Sequence, residues 1–122
     1  MQNNTKLREE VERWSIENGY PATDFEVMSC DCGSKGFFLA SDDDQGAALI
    51  ECSVCEAQYD ILESCQYADN LVQNICSCGA EVLQVSVSKS FYEKSEDVRW
   101  VYVGAYCAKC QLSGVYVDWQ VR

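Results

Sequence analysis

The chain of 122 residues has no histidine, one proline, and nine lysines and arginines against twenty aspartates and glutamates. Without histidine there is no imidazole base, no Ser-His or Cys-His nucleophile pair and no metal site with histidine ligands. The net charge of −11 opposes binding to bare nucleic acid, which requires clustered basic residues to neutralise phosphates. We therefore expect a protein that is not an enzyme and whose partners are proteins.

Long apolar runs are also missing, and no basic stretch followed by an apolar run opens the chain. We expect a cytoplasmic protein with no membrane contact. In a reducing compartment, nine cysteines in 122 residues indicate metal ligands rather than a disulfide framework.

Apolar periodicity predicts one helix followed by short strands. Thr5 is the expected cap of a helix over residues 6–18, in which Leu7, Val11 and Trp14 form one apolar stripe. Alternating residues predict strands at 25–28, 36–40, 48–51, 83–88, 98–103 and 115–121. The last three form an antiparallel sheet, either half-buried or covered on both faces by the helix or the first repeat.

One cysteine pattern occurs twice: C-x-C-G, a strand-turn-strand segment, then C-x-x-C. Its members are Cys30, Cys32, Cys52 and Cys55 in the first copy and Cys76, Cys78, Cys107 and Cys110 in the second. Four thiolates from two short turns can surround a closed-shell ion tetrahedrally, as in structural zinc sites. Gly33 and Gly79 would supply a positive φ that turns the backbone toward the sulfurs. We expect two structural Zn²⁺ ions.

Other interpretations of the cysteines stay open. Iron or an iron–sulfur cluster fits the same thiolate cages, and a disulfide scaffold is an alternative, although disulfides within C-x-C are strained. Crossed pairing, in which Cys30 and Cys32 share a metal with Cys107 and Cys110, competes with pairing inside each copy. We expect Cys65, outside both quartets, to be a free thiol without a chemical role.

The repeated motif resembles the zinc ribbon, in which two knuckles at the ends of a β-hairpin hold one metal and a third strand follows. The resemblance covers roughly residues 30–62 and 76–121, with C-x-C replacing the usual C-x-x-C at the first knuckle. It implies a mainly β fold of two tandem zinc ribbons, each an antiparallel β-hairpin with a third strand, preceded by one N-terminal α-helix. The predicted units are 1–24 for the helix and connection, 25–65 for the first ribbon and 66–122 for the second. Whether the two ribbons pack as one unit is left open.

A possible interaction surface comes from acid and aromatic residues. Residues 30–65 contain eight acidic residues and one basic residue, and Asp42, Asp43 and Asp44 would stand at the first hairpin's tip. Trp100 and Tyr102 belong to an aromatic-rich stretch, and such residues often dominate protein contacts. A purely conformational, solvated Asp-rich turn is the alternative for the tip.

Three functions follow as hypotheses. The first is an acidic zinc-binding protein–protein interaction module, in particular an inhibitor or immunity-type protein of a partner with a basic surface. The second is a transcription- or RNA-associated zinc ribbon docking on a polymerase or ribosomal complex, because transcript-cleavage factors carry acidic residues at a zinc-ribbon hairpin tip. The third is a thiol-zinc redox sensor, because the second copy's spacing is similar to the redox switch of an oxidation-activated chaperone.

Overall fold

The computed structural model describes residues 2–121, with side chains from residue 5 onward; residues 1 and 122, at the ends of the predicted units, lie outside it. Its elements are α1 (Gln2–Asn18), β1 (Asp24–Val27), β2 (Phe37–Asp42), β3 (Ala47–Cys52), β4 (Gln58–Asp60), a 3₁₀ segment (Ile61–Tyr67), β5 (Val72–Asn74), β6 (Gln84–Phe91), β7 (Val98–Tyr106) and β8 (Ser113–Gln120). The predicted fold class, mainly β with one N-terminal helix, is confirmed. The sequence did not reveal β4 and β5, because three residues each are too few to establish an alternating pattern.

The strands form two antiparallel sheets of four strands each. Sheet A has the order β1-β6-β7-β8, and sheet B has the order β4-β3-β2-β5. The two copies exchange their first strands: β1, which precedes the first copy, pairs with β6, whereas β5, which precedes the second, pairs with β2. Sheet membership therefore crosses the predicted units 25–65 and 66–122, because each preceding strand completes the hairpin of the other copy.

An approximate two-fold axis relates the copies. Phe37 and Leu83 each lie seven residues after the first cysteine of their copy, and each donates its backbone N–H to the other's carbonyl at 2.8 Å. Positions in β2 correspond to those 46 later in β6, and positions in β3 to those 55 later in β7, as the cysteines do. The registers agree, since Ala40 opposes Leu49 and the corresponding Ser86 opposes Gly104.

The main core lies between the two sheets. Sheet A contributes Val85 and Val103, and sheet B contributes Leu39 and Ile50, all fully buried in one apolar cluster. The opposite face of sheet A is also covered, because α1 packs on β7 and β8. Of the two alternatives for the last three strands, the structure therefore has both faces covered.

The packed stripe of α1 differs from the sequence prediction. Leu7, Val11 and Ser15 are buried, whereas Trp14 is 49% exposed and its indole donates a hydrogen bond to Asp118 at 2.6 Å. The stripe continues at intervals of four residues, so Ser15 takes the place predicted for Trp14. Thr5 lies inside the helix and is not its cap, since α1 begins at Gln2. No helix among residues 2–121 is long and apolar enough to cross a membrane.

Candidate metal centres

The eight repeated cysteines form two separate groups of four, within each of which all sulfur atoms lie within 4.8 Å of one another. The first cluster is Cys30, Cys32, Cys52 and Cys55, and the second cluster is Cys76, Cys78, Cys107 and Cys110. The grouping follows sequence order, so the crossed pairing is not what the structure has. Both clusters are compatible with zinc binding, since Zn–S bonds of about 2.3 Å place the sulfurs of a tetrahedron about 3.8 Å apart.

The sulfur geometry is nearly the same in the two clusters. The Sγ atoms of Cys30 and Cys55 are 3.3 Å apart, as are those of Cys76 and Cys110. The other close pair in each cluster, one member of which is Cys32 or Cys78, is separated by 3.6 Å. The two copies thus build the same four-sulfur cage from different surrounding sequences.

A glycine shapes the first turn of each cluster. Gly33 has φ +97° and donates its N–H to the Cys30 carbonyl at 2.8 Å, and Gly79 has φ +94° with the matching bond to Cys76 at 2.7 Å. A Cβ on either glycine would meet nothing within 4 Å, so backbone conformation rather than space requires glycine here. The predicted positive φ is confirmed at both positions.

The second turn of each cluster takes a positive φ without glycine. Glu56 has φ +68° and donates to the Cys52 carbonyl at 3.1 Å, while Gln111 has φ +67° and donates to the Cys107 carbonyl at 2.7 Å. This repetition had no signal in the sequence, because Glu and Gln are not residues that mark left-handed backbone.

Local hydrogen bonds favour the thiolate form of a buried cysteine in each cluster. The backbone N–H groups of Cys55 and Val54 approach the Cys52 sulfur to 3.5 and 3.4 Å, and they lower the pKa of Cys52 to about 6. The backbone N–H of Cys78 and the thiol of Cys110 likewise lower the pKa of Cys76 to about 6. At least one thiolate in each cluster is therefore accessible near neutral pH, whereas the hydrogen bonds to Cys30 and Cys76 raise the pKa of Cys55 and Cys110.

Each cluster joins the core to the surface. The first cysteine of every pair, Cys30, Cys52, Cys76 and Cys107, is buried in the apolar cluster between the sheets, and the second is exposed. An ion held by four sulfurs has no open position for water or substrate, which is the coordination of structural sites. The arrangement suits an ion that fastens hairpin ends onto the core.

A tyrosine distinguishes the first cluster. The Tyr59 hydroxyl donates to the Cys30 sulfur at 3.3 Å and accepts the Asp31 N–H at 3.3 Å. This hydroxyl is the main cause of a lowered Cys30 pKa. The equivalent position in the second copy is Gly114, which has no such group. Tyr59 was missed from the sequence, where a tyrosine four residues after C-x-x-C was the only signal.

The predicted Asp42–Asp44 surface needs a correction at Asp42. Its side chain is buried, with the Oδ2 atom accepting backbone N–H groups of Asp69 at 2.8 Å and Asn70 at 3.0 Å. The Oδ1 atom accepts the N–H groups of Asp44 at 3.1 Å and Gln45 at 3.0 Å. These bonds, that from Asn70 first, lower the pKa of Asp42 below its ordinary value of 3.8. Asp42 is therefore a structural anchor, and of the three aspartates Asp43 and Asp44 are the exposed ones.

The aromatic half of the predicted surface is also largely covered. Tyr102 is fully buried under α1, and its hydroxyl donates to the Tyr20 carbonyl at 2.7 Å and accepts from Asn18 at 3.0 Å. Trp100 is half-buried and stacks on the Tyr20 ring, with centroids 4.8 Å apart. Tyr102 is thus wrong as a contact residue, because β7 turns it toward the helix.

Cys65 lies outside both clusters. Its thiol donates to the Ala48 carbonyl at 3.7 Å, and burial raises its pKa to about 11. It has the environment of a packed thiol rather than of a ligand or nucleophile.

Comparison with protein families, curated proteins and solved structures finds nothing that matches this chain.

Proposed function

We propose that this protein is a structural zinc protein that works as a non-catalytic protein-binding module for a partner with a basic surface. One Zn²⁺ occupies each cluster, bound by four thiolates. The observation that carries the proposal is the repetition of one four-sulfur cage in two copies, with matching distances, turns and burial. Such sites fix a surface rather than perform chemistry.

Zinc rather than iron is the metal that we assign to these cages. An all-sulfur tetrahedron accepts either metal, but zinc has no redox chemistry and holds hairpin turns together in many small domains. A three-residue strand adjoins each cluster along the chain, since β4 begins three residues after Cys55 and β5 ends two residues before Cys76. A bound ion supplies the stability that such short strands lack.

The charge distribution supports a basic protein partner. Residues 30–65 contain eight of the acidic residues and one basic residue, whereas residues 66–122 are nearly balanced, with six and five. The exposed Asp43, Asp44, Asp60 and Glu63 belong to the first of these segments. Exposed acidic residues speed association with basic proteins and make the complex sensitive to salt. An inhibitor or immunity-type protein is one form that such a module takes.

The metal assignment is tested by elemental analysis of the purified protein, with far-UV circular dichroism before and after chelation. We expect two zinc ions per chain and loss of ordered structure when they are removed. Cys65→Ser is the matched control, because Cys65 belongs to neither cluster, and it should retain both ions. Iron, a single ion or no metal would contradict the proposal.

The binding role is tested by passing cell extract over the immobilised, zinc-loaded protein at low and high salt. We expect basic proteins to be retained at low salt and released at high salt. The chelated protein serves as the control for specific retention. Failure to retain any partner at low salt would contradict the binding role while leaving the metal assignment in place.

A further inference from the structure

The two-fold relation between the copies makes the outer faces of the two sheets equivalent in position, but the two faces differ in what covers them. The outer face of sheet A is covered by α1, whose Leu7 and Val11 pack over Gly104. The matching face of sheet B has Leu49 in place of Gly104, and a groove of about 330 Å³ opens on it. Sheet A therefore shows that an outer face of this fold can be covered by an α-helix.

The centre of the sheet B face is apolar. Phe38 and Ala40 on β2 and Leu49 on β3 line the groove, and all three are only half-buried. Ala40 and Leu49 are direct cross-strand partners, so their side chains share this face. The small Ala40 leaves a trough beside the larger Leu49 and Phe38.

Acidic residues border the trough on both sides. Glu51 on β3 lies at one side, and Glu81 lies at the other, where it accepts a hydrogen bond from Gln73 on β5 at 3.2 Å. The strands β3 and β5 are separated by two strand spacings, about 10 Å, which is the width of an α-helix. Of the described residues that line the groove, two are glutamates and none is basic.

We propose that the outer face of sheet B docks an amphipathic α-helix of a partner protein, with small apolar residues in the trough and lysine or arginine on both flanks. The proposal rests on the proposed function and names the contact surface of the binding module. The apolar stripe of the partner helix packs on sheet B as Leu7 and Val11 of α1 pack on sheet A. The flanking cations meet Glu51 on one side and Glu81 on the other.

The docked helix lies over β2. It is therefore placed differently from α1, which does not lie over β6, the strand of sheet A that corresponds to β2. α1 packs on β7 and β8, where Gly104 permits close approach and Val115 offers an apolar neighbour. In sheet B, Leu49 corresponds to Gly104, and its side chain occupies the space that the glycine leaves open. Asp60 corresponds to Val115, and it is exposed and charged. The trough over Ala40 is the remaining place for a helix backbone to approach the sheet.

The test is a display selection on the zinc-loaded protein with a library of helical peptides. The library fixes apolar residues at i, i+4 and i+8 and varies the flanking positions among Lys, Arg, Glu, Gln and Ala. Recovered peptides are measured against wild type, Leu49→Lys and Ile16→Lys. Ile16, an apolar residue that is 63% exposed on α1, provides the matched control. Zinc content and circular dichroism are recorded for every sample.

We expect the selected helices to carry Lys or Arg on both flanks and to bind Leu49→Lys at least tenfold more weakly than wild type, with Ile16→Lys unchanged. Amide shifts on binding should centre on Phe38, Ala40 and Leu49. Recovery of no helix that depends on Leu49, of acidic helices, or of ligands that shift sheet A or the β5 edge instead would overturn the proposal. A sample that binds no helix but contains two zinc ions contradicts this docking face alone, whereas a sample without zinc contradicts the proposed function.

Discussion

The two clusters have the same sulfur geometry but different support. The first cluster closes a hairpin of six-residue strands and receives a hydroxyl hydrogen bond from Tyr59. The second cluster closes a hairpin of eight- and nine-residue strands that α1 covers, and it has Gly114 where the first has Tyr59. Because local turns define the positions of the four sulfurs, the strand lengths and the neighbouring side chains can differ between the two copies. The comparison predicts unequal dependence on metal.

The largest effect is expected from loss of one cluster. Cys52→Ser and Cys107→Ser should each reduce the bound zinc from two ions to one. In Cys52→Ser, the amides of sheet B should lose their protection against hydrogen exchange. In Cys107→Ser, the amides of β6 and β7 should stay protected, because these longer strands under α1 depend less on the ion. Cys65→Ser should retain both ions and full protection. Equal loss of protection in both sheets, whichever cluster is removed, would show that metal dependence is shared evenly.

The helix-covered face provides the next contrast. A Cβ added at Gly104 would lie 2.8 Å from Val11 Cγ2 and 3.2 Å from Leu7 Cδ1, whereas one at Gly114 would meet nothing within 4 Å. Gly104→Ala should therefore lower the free energy of unfolding by about 1–3 kcal/mol. Denaturant unfolding of the zinc-loaded protein measures this, with Gly114→Ala as the control. A Gly104→Ala variant as stable as that control would mean that α1 moves away without cost.

The Asp42 anchor belongs to the first copy alone, since Ser88 occupies the corresponding place in the second. Asp42→Ala should accelerate amide exchange at Asp69 and Asn70 by about a hundredfold, because each loses its hydrogen bond to the Asp42 carboxylate. The folded pKa of Asp42 lies below 3.8, so its contribution is complete above that value and is lost only as pH falls through the folded pKa. The difference between wild type and variant should consequently stay constant from about pH 7 to about pH 5. A difference that shrinks within this range would contradict the lowered pKa.

The smallest effect concerns the hydroxyl beside the first cluster. Tyr59→Phe removes the hydrogen bond to Cys30 and should weaken zinc binding at that cluster by about tenfold. Competition with a chromophoric chelator resolves the two sites, and the second cluster in the same molecule is the internal reference. A parallel weakening of both sites would indicate a global change in stability instead.

Elements with a repeated local signal were predictable from the sequence. The cysteine spacing and the glycine after each C-x-C define the turns, because four sulfurs and one left-handed residue are short-range requirements. The strands around them alternate clearly, so they were placed to within a few residues. The predictions that were wrong concern the side chains of Trp14, Asp42 and Tyr102. These side chains have polar or amphipathic groups whose burial depends on a distant partner.

By itself, the sequence determined the repeated four-cysteine motif, the N-terminal helix and the mainly β character, since each follows from spacing or periodicity along a short stretch. Tertiary structure decided the exchange of β1 and β5 between the copies, because nothing in a three- or four-residue strand specifies which edge it joins. It also decided that Asp42 binds backbone amides of residues 69 and 70 and that Tyr59 reaches Cys30. These contacts join residues 27 to 29 positions apart, and only packing of the two sheets brings such groups together.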